Sequence, residues 1–199
     1  MRRRHSSTHL LGILTVGALA AGCVADDADV RVVILHNQEC KPEPDENEFI
    51  SAGVVDTTGG VGYILSPTVK NLAVVPDNVV EAQRIFFMEG AEVTIDLPTG
   101  EVPGTIGFTL EEKAALAASG LLAFSSLVSG SVPPEDSVAT LPVVILPYEL
   151  LVEIAEKLDP QSFIQVVANV QIYGTMNGSE IATQVFHYPI TVCTGCLYR

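Results

Sequence analysis

The stretch from Phe163 to Cys193 constrains the fold more than any other part of this 199-residue chain. In Phe163–Thr175 (FIQVVANVQIYGT), Ile164, Val166, Ala168, Val170 and Ile172 recur at every second position, with Gln165, Asn169 and Gln171 between them. Successive side chains of an extended strand point to opposite faces, so this period of two predicts a strand with one buried and one solvated face. Asn177-Gly178 follows, and both residue types accept the positive φ that a type I′ hairpin turn requires at its two central positions. Ile181–Cys193 is then the returning strand, with Ala182, Phe186, Tyr188, Ile190 and Val192 expected on its buried face.

Upstream segments extend the same theme. Asp29–His36 (DVRVVILH) is rich in β-branched residues and reads as a first strand, while Asn37–Glu48, with two prolines and five acidic residues, reads as a solvated loop. Phe49–Thr57 and Val61–Ser66 flank Thr58-Gly59-Gly60 and read as a hairpin, and Val69–Val75 as a further short strand or a connection. Arg84–Leu97 reads as one strand broken or bulged near Gly90, since Val93, Ile95 and Leu97 alternate with Glu92, Thr94 and Asp96. Thr105–Leu110 and Leu121–Val128 are candidate strands on either side of the helix-favouring Glu111–Ala118. In Thr140–Leu146 the proline at 142 confines any strand to a sheet edge or a strand start. Pro147–Leu158 is the best helix: Pro147 suits a first helical position, Leu150, Ile154 and Leu158 share a face, and Asp159-Pro160 stops it. Many short strands and one short helix predict an all-β fold, an antiparallel β-sandwich of immunoglobulin-like type. The chain has no Trp, so the disulfide-and-tryptophan core of antibody domains is excluded.

The amino terminus carries a different signal. Arg2, Arg3 and Arg4 precede an uncharged run from Leu10 to Ala21 that ends in Leu19-Ala20-Ala21-Gly22-Cys23, the layout of a secretory signal peptide. The run is shorter than the roughly 20 residues a bilayer span needs. A cysteine directly after the small residues resembles the signal of bacterial lipoproteins, with Ala20 where leucine is usual. That resemblance implies removal of residues 1–22, acylation of Cys23 (palmitate among the acyl groups) and a lipidated N-terminus and tether over 23–28; the rest, with no internal repeat or long linker, reads as a single domain over 29–199. Val24 after the cysteine implies sorting to the outer membrane, facing the periplasm or the cell surface. Phe186-His187-Tyr188-Pro189-Ile190-Thr191-Val192-Cys193-Thr194-Gly195-Cys196-Leu197 is similar to the closing strand of bacterial surface lipoproteins of unknown function, a likeness that brings no activity with it.

Charge narrows the partners. Three of the 10 basic residues lie in the leader, which holds no acidic residue, so 7 remain against 24 acidic ones, a formal charge of −17 after its removal. Nucleic acid binding rests on Lys and Arg neutralising phosphates, so a nucleic acid partner is excluded, as is adhesion of the body to anionic lipid. Contact with the membrane is expected through the lipid on Cys23 alone, and the remaining partner is an unknown protein or other envelope component.

Chemistry-bearing residues are few. Apart from Cys23 the cysteines are Cys40, Cys193 and Cys196, and an exported protein tends to oxidise its thiols. A bridge from Cys40 to Cys193 or Cys196 would staple the first strand to the last, closing a loop of about 150 residues for roughly 4–5 kcal/mol. A local Cys193–Cys196 bridge is the other pairing. Cys-x-x-Cys redox catalysis needs a helix N-terminus or nearby cations to lower a thiol pKa, and here the motif ends a strand with Arg199 the one cation near it. His36, Cys40, Cys193 and Cys196 are together a Cys₃His set of zinc-ligand type, which makes a metal protein or metalloenzyme the rival functional class. No Gly-x-Ser-x-Gly or HExxH motif occurs, Thr58–Gly62 lacks a phosphate-cradling lysine, and the acidic residues of 39–48 lack the calcium-loop order. His187 lies between Phe186 and Tyr188 and is expected to face solvent or a neighbouring strand. Asn177-Gly178-Ser179 has the form of a glycosylation acceptor, which the hairpin explains better. The expectation is a non-enzymatic anchored module with no cofactor.

Overall fold

The computed structural model describes residues 29–37, 52–100, 106–160 and 162–196, so the leader, Cys23, the tether and the acidic loop lie outside the described residues. The described chain is mostly β, with two α-helices and two packed sheets. The smaller sheet is antiparallel: β1 (Val30–Asn37) lies on one side of β3 (Tyr63–Asn71), with β6 (Ser137–Thr140) and β7 (Val143–Leu146) on the other. The larger sheet runs β2 (Gly53–Asp56), β10 (Phe186–Cys193), β8 (Phe163–Met176), β4 (Phe86–Asp96), β5 (Ala123–Val132), with β9 (Ser179–Ala182) also on β8. Every pairing in it is antiparallel except β2 with β10. No helix among the described residues is long and apolar enough to cross a membrane.

Strand β8 matches its periodicity. Ile164, Val166, Ala168, Val170 and Ile172 are all buried, and Asn177 and Gly178 take φ of 52° and 75° in the turn to β9. The returning strand differs from expectation at its start. Ala182 pairs with Tyr173 and Phe186 with Val170, three steps along β8 against four on the other side. This extra residue is a β-bulge, and one residue inverts the faces, so Ile181 and Thr183 are buried there while Ala182 is only half-buried. Thr183 repairs the ladder: its Oγ1 accepts from Ile172 N (3.1 Å) and its carbonyl from Gln171 Nε2 (2.9 Å). In β4 the register against both neighbours shifts between Met88 and Gly90, and Val93, Ile95 and Leu97 face inward as their alternation predicts.

Two neighbouring segments do not form the expected hairpin. Strand β2 joins the larger sheet beside β10, whereas Tyr63 begins β3 in the smaller one, so the chain crosses between sheets at Thr57–Gly62. The run Tyr63–Asn71 is one strand passing through Pro67, rather than a strand to Ser66 and a separate piece from Val69. Strands β6 and β7 lie end to end along β3, bridged by Leu141 N donating to Pro67 O (3.2 Å), with the break at Pro142, which lacks an N–H. Of the candidate strand Thr105–Leu110, Phe108 makes one isolated bridge to Thr99 and Leu110 already opens a helix.

That helix, α1 (Leu110–Ala118), corrects the expectation of one. A capping box starts it: Thr109 Oγ1 accepts from Glu112 N (3.2 Å) and Glu112 Oε2 from Thr109 N (2.8 Å). Lys157 hydrogen-bonds Glu112 and sits 5.8 Å from the centre of the buried Phe108 ring. The Lys157 bond, helped by the Thr109 N–H, holds the Glu112 carboxyl below its ordinary pKa. The second helix, α2 (Tyr148–Ala155), buries Leu150 and Ile154 against the core, and Pro147 sits at its N-cap, one place before the first helical residue.

The sheets meet through a pair of fully buried tyrosines. Tyr63 of β3 and Tyr188 of β10 share a hydroxyl–hydroxyl hydrogen bond of 3.1 Å, with ring centroids 6.0 Å apart. Gly53 of β2 makes room for them: a Cβ there would lie 2.4 Å from the Tyr63 hydroxyl and 3.0 Å from Tyr188 Cε1. Gly53→Ala is therefore expected to cost about 1–3 kcal/mol in urea unfolding, as an overpacked core does. Gly59→Ala, where a Cβ meets nothing within 4 Å, should stay within about 0.5 kcal/mol of the parent. Equal effects of the two would contradict this packing.

Candidate functional site

A polar cluster that includes Cys193 and Cys196 forms where β2 and β10 end side by side. Parallel pairing sets Cys193 opposite Asp56, at the last position of both strands. Asp56 is 4 % exposed and caps the 3₁₀ turn Thr57–Gly59: its Oδ1 accepts from Thr58 N (3.0 Å) and Thr58 Oγ1 (2.7 Å). The same oxygen accepts from Gly195 N (3.0 Å), 139 residues away in sequence. Charge-assisted bonds of this kind are roughly twice as strong as neutral ones, so one carboxylate holds the turn after β2 to the turn after β10. Thr57 Oγ1 and Thr194 Oγ1 add a contact of 2.9 Å beside it.

The turn after β10 doubles back on itself. Gly195 takes φ of 69°, a left-handed conformation that costs glycine nothing, and this returns Cys196 to Cys193. The two cysteines form a disulfide, with Cα atoms 5.9 Å apart. Cys193 is buried with Sγ 3.4 Å from Val55 O, and Cys196 is exposed. The ligand atoms of Asp56, Cys193 and Cys196 all lie within 4.8 Å of one another.

Of the zinc-type set, the structure brings together Cys193 and Cys196. His36 is in β1 of the smaller sheet, its backbone paired with Ser66. Cys40, like Cys23, lies outside the described residues. The long staple expected between Cys40 and Cys193 or Cys196 gives way to the local pairing, in which each of its two potential partners takes the other. The reason is the tight turn at Gly195, which sets the sulfurs together over a separation of 3 residues. Asp56 is the member that sequence reasoning missed. Its signal was Asp56-Thr57-Thr58-Gly59, the order of an acidic cap on a short turn. Of the glycines in 58–62, Gly59 closes that turn and Gly60 caps it at φ 70°.

His187 faces outward on β10, as its neighbours predicted. Its Nδ1 is 2.5 Å from Asn169 Oδ1 on β8, and Asn169 Nδ2 donates to Asp96 Oδ2 on β4 (2.9 Å). A carboxylate only accepts, so the amide presents its oxygen to the imidazole, and Nδ1 carries the proton. This row ties three strands across the outer face of the larger sheet.

No family model matches this chain, and no curated protein is significantly similar to it. The site is therefore read from its own geometry.

The disulfide closes so short a loop that the chain-entropy model gives it only about 2 kcal/mol, against about 5 for the long staple. Reduction by a phosphine should accordingly lower unfolding free energy by about 2 kcal/mol. Asp56→Ala should cost about 1–3 kcal/mol, from the lost cap and the released Gly195 N–H. A reduction penalty near 5 kcal/mol would point back to the long staple.

Proposed function

We propose that this chain is a bacterial lipoprotein: residues 1–22 are removed, Cys23 carries the acyl anchor, and the β domain sits at the outer membrane facing the periplasm or the cell surface. The observation that supports the address is the Cys193–Cys196 disulfide, a bond that persists in oxidising compartments and is rare in the cytosol. The −17 charge of the processed chain agrees with it, because a strongly acidic body is repelled by the anionic surface to which its anchor tethers it.

The domain itself we read as a non-enzymatic module that binds or supports an envelope partner. Asp56 Oδ1 ties the turns after β2 and β10 together, and His187 stands in a hydrogen-bonded row that spans three strands. We further read the two sheets as an immunoglobulin-like sandwich, on the strength of antiparallel sheets packed face to face and a short strand running parallel beside the last one. The outer face of the larger sheet, with His187, Asn169, Thr94 and Asp96 in one row, is the surface we assign to the partner.

The second reading is a zinc-binding protein or enzyme using His36, Cys40, Cys193 and Cys196, and it draws on the closeness of the last two to Asp56.

Mass spectrometry of membrane-extracted protein tests the address. The expected result is a first peptide beginning at acylated Cys23, with Cys23→Ser released from the membrane fraction. An intact leader, or a Cys23→Ser chain that stays membrane-bound, would overturn it.

A further inference from the structure

We propose that the reduced protein binds one zinc-class divalent cation through Cys193 Sγ, Cys196 Sγ and Asp56, and that the disulfide is the closed form of this site. The proposal rests on the end of the β2–β10 pair and not on the acylation of Cys23, so the two readings fail separately.

The ligand set has the right chemistry. Thiolates and a carboxylate are common zinc ligands, with Zn–S about 2.3 Å and Zn–O about 2.0–2.2 Å. A tetrahedral ion at those lengths sets its sulfurs about 3.8 Å apart, so the two sulfurs, joined in the disulfide beside Asp56, separate on reduction before they hold it. Asp56 and Cys193 are buried at the side-by-side ends of two parallel strands held by sheet hydrogen bonds, and Cys196 lies in the turn that follows. The surroundings orient them as the outer shell of a metal site does. Thr58 and the Gly195 N–H fix the carboxylate, and the positive φ of Gly195 turns the Cys-Thr-Gly-Cys loop so that both sulfurs face one point.

Opening the site is a balanced reduction. A dithiol reductant gives two electrons and two protons to the Cys193–Cys196 bond and becomes a disulfide itself. The cation then displaces the two thiol protons, so binding strengthens as pH rises. In this scheme the chain's last strand carries a site that opens under reducing conditions and closes under oxidising ones.

The test uses the full-length chain with Cys23→Ser, purified in detergent and reduced with a phosphine. Titration with Co²⁺, followed by competition with Zn²⁺, should show one ion per chain and a charge-transfer band of two-thiolate intensity. The phosphine-free oxidised chain should show none. Asp56→Asn should weaken binding by about tenfold or more, and Cys40→Ser should leave it unchanged. Absence of binding after reduction would overturn the proposal, as would undiminished affinity in Asp56→Asn. If Asp56→Asn does not fold by circular dichroism, the cobalt spectrum decides: two thiolates support the site, and three would put Cys40 in it and overturn this assignment.

Discussion

The register of β8 is the constraint from which the larger sheet and the candidate site both follow. This strand pairs with β10 and β9 along one edge and with β4 along the other. At Gly174 the approach to β4 is so close that a Cβ would lie 2.0 Å from Phe87 O. Pairing with β8 fixes β10, and β10 in turn fixes β2, which sets Asp56 opposite Cys193. A slip of one residue between β8 and β10 would turn Ile190 and Val192 out of the core and carry Cys193 away from the carboxylate. The hydrophobic effect thus holds the polar site in place from a distance.

The bulge at Thr183 shows how that register is protected. Strand β9 and strand β10 lie on the same edge of β8 but one residue out of step. Thr183 absorbs the mismatch with its own hydroxyl and carbonyl, so that Ile172 and Gln171 find partners where the ladder is interrupted. At the end of β3 in the smaller sheet Asn71, fully buried, does comparable work by donating to Arg84 O and Val132 O and accepting from Ala73 N. These buried polar groups tie strand ends that apolar packing alone would leave free to shift.

What could be read from the residues was what depends on near neighbours. The alternation in β8 and β4, the Asn177-Gly178 turn and the face of α2 are all local patterns, and each is present. Helix α1 was half legible: its composition favoured a helix, and Thr109-x-x-Glu112 was an unread capping box. The missing parts are those set by distant segments. Phe49–Thr57 and Val61–Ser66 look like a hairpin because two short strands flank glycines, yet β2 finds its partner 137 residues later, in Cys193 opposite Asp56. Strand β6 (Ser137–Thr140) has too few residues to show a period, and Ala182 was misplaced because a bulge leaves no mark in hydrophobicity. Asp56 carried only the local signal of a turn cap, because its other partners, Gly195 and Cys193, are near it only in the fold.

The closing turn is locked locally, by Asp56 and by its own disulfide. Tryptic mapping without reductant, on protein recovered from the cell envelope, tests it most directly. Cleavage after Lys157 leaves Cys193 and Cys196 in one peptide that runs to Arg199, while Cys40 falls in a peptide that starts at Val32. The account predicts that the first peptide is found alone and two hydrogens lighter than its reduced form, with Cys40 not attached to it. A cross-linked pair joining the Val32 peptide to the Leu158–Arg199 peptide would contradict it.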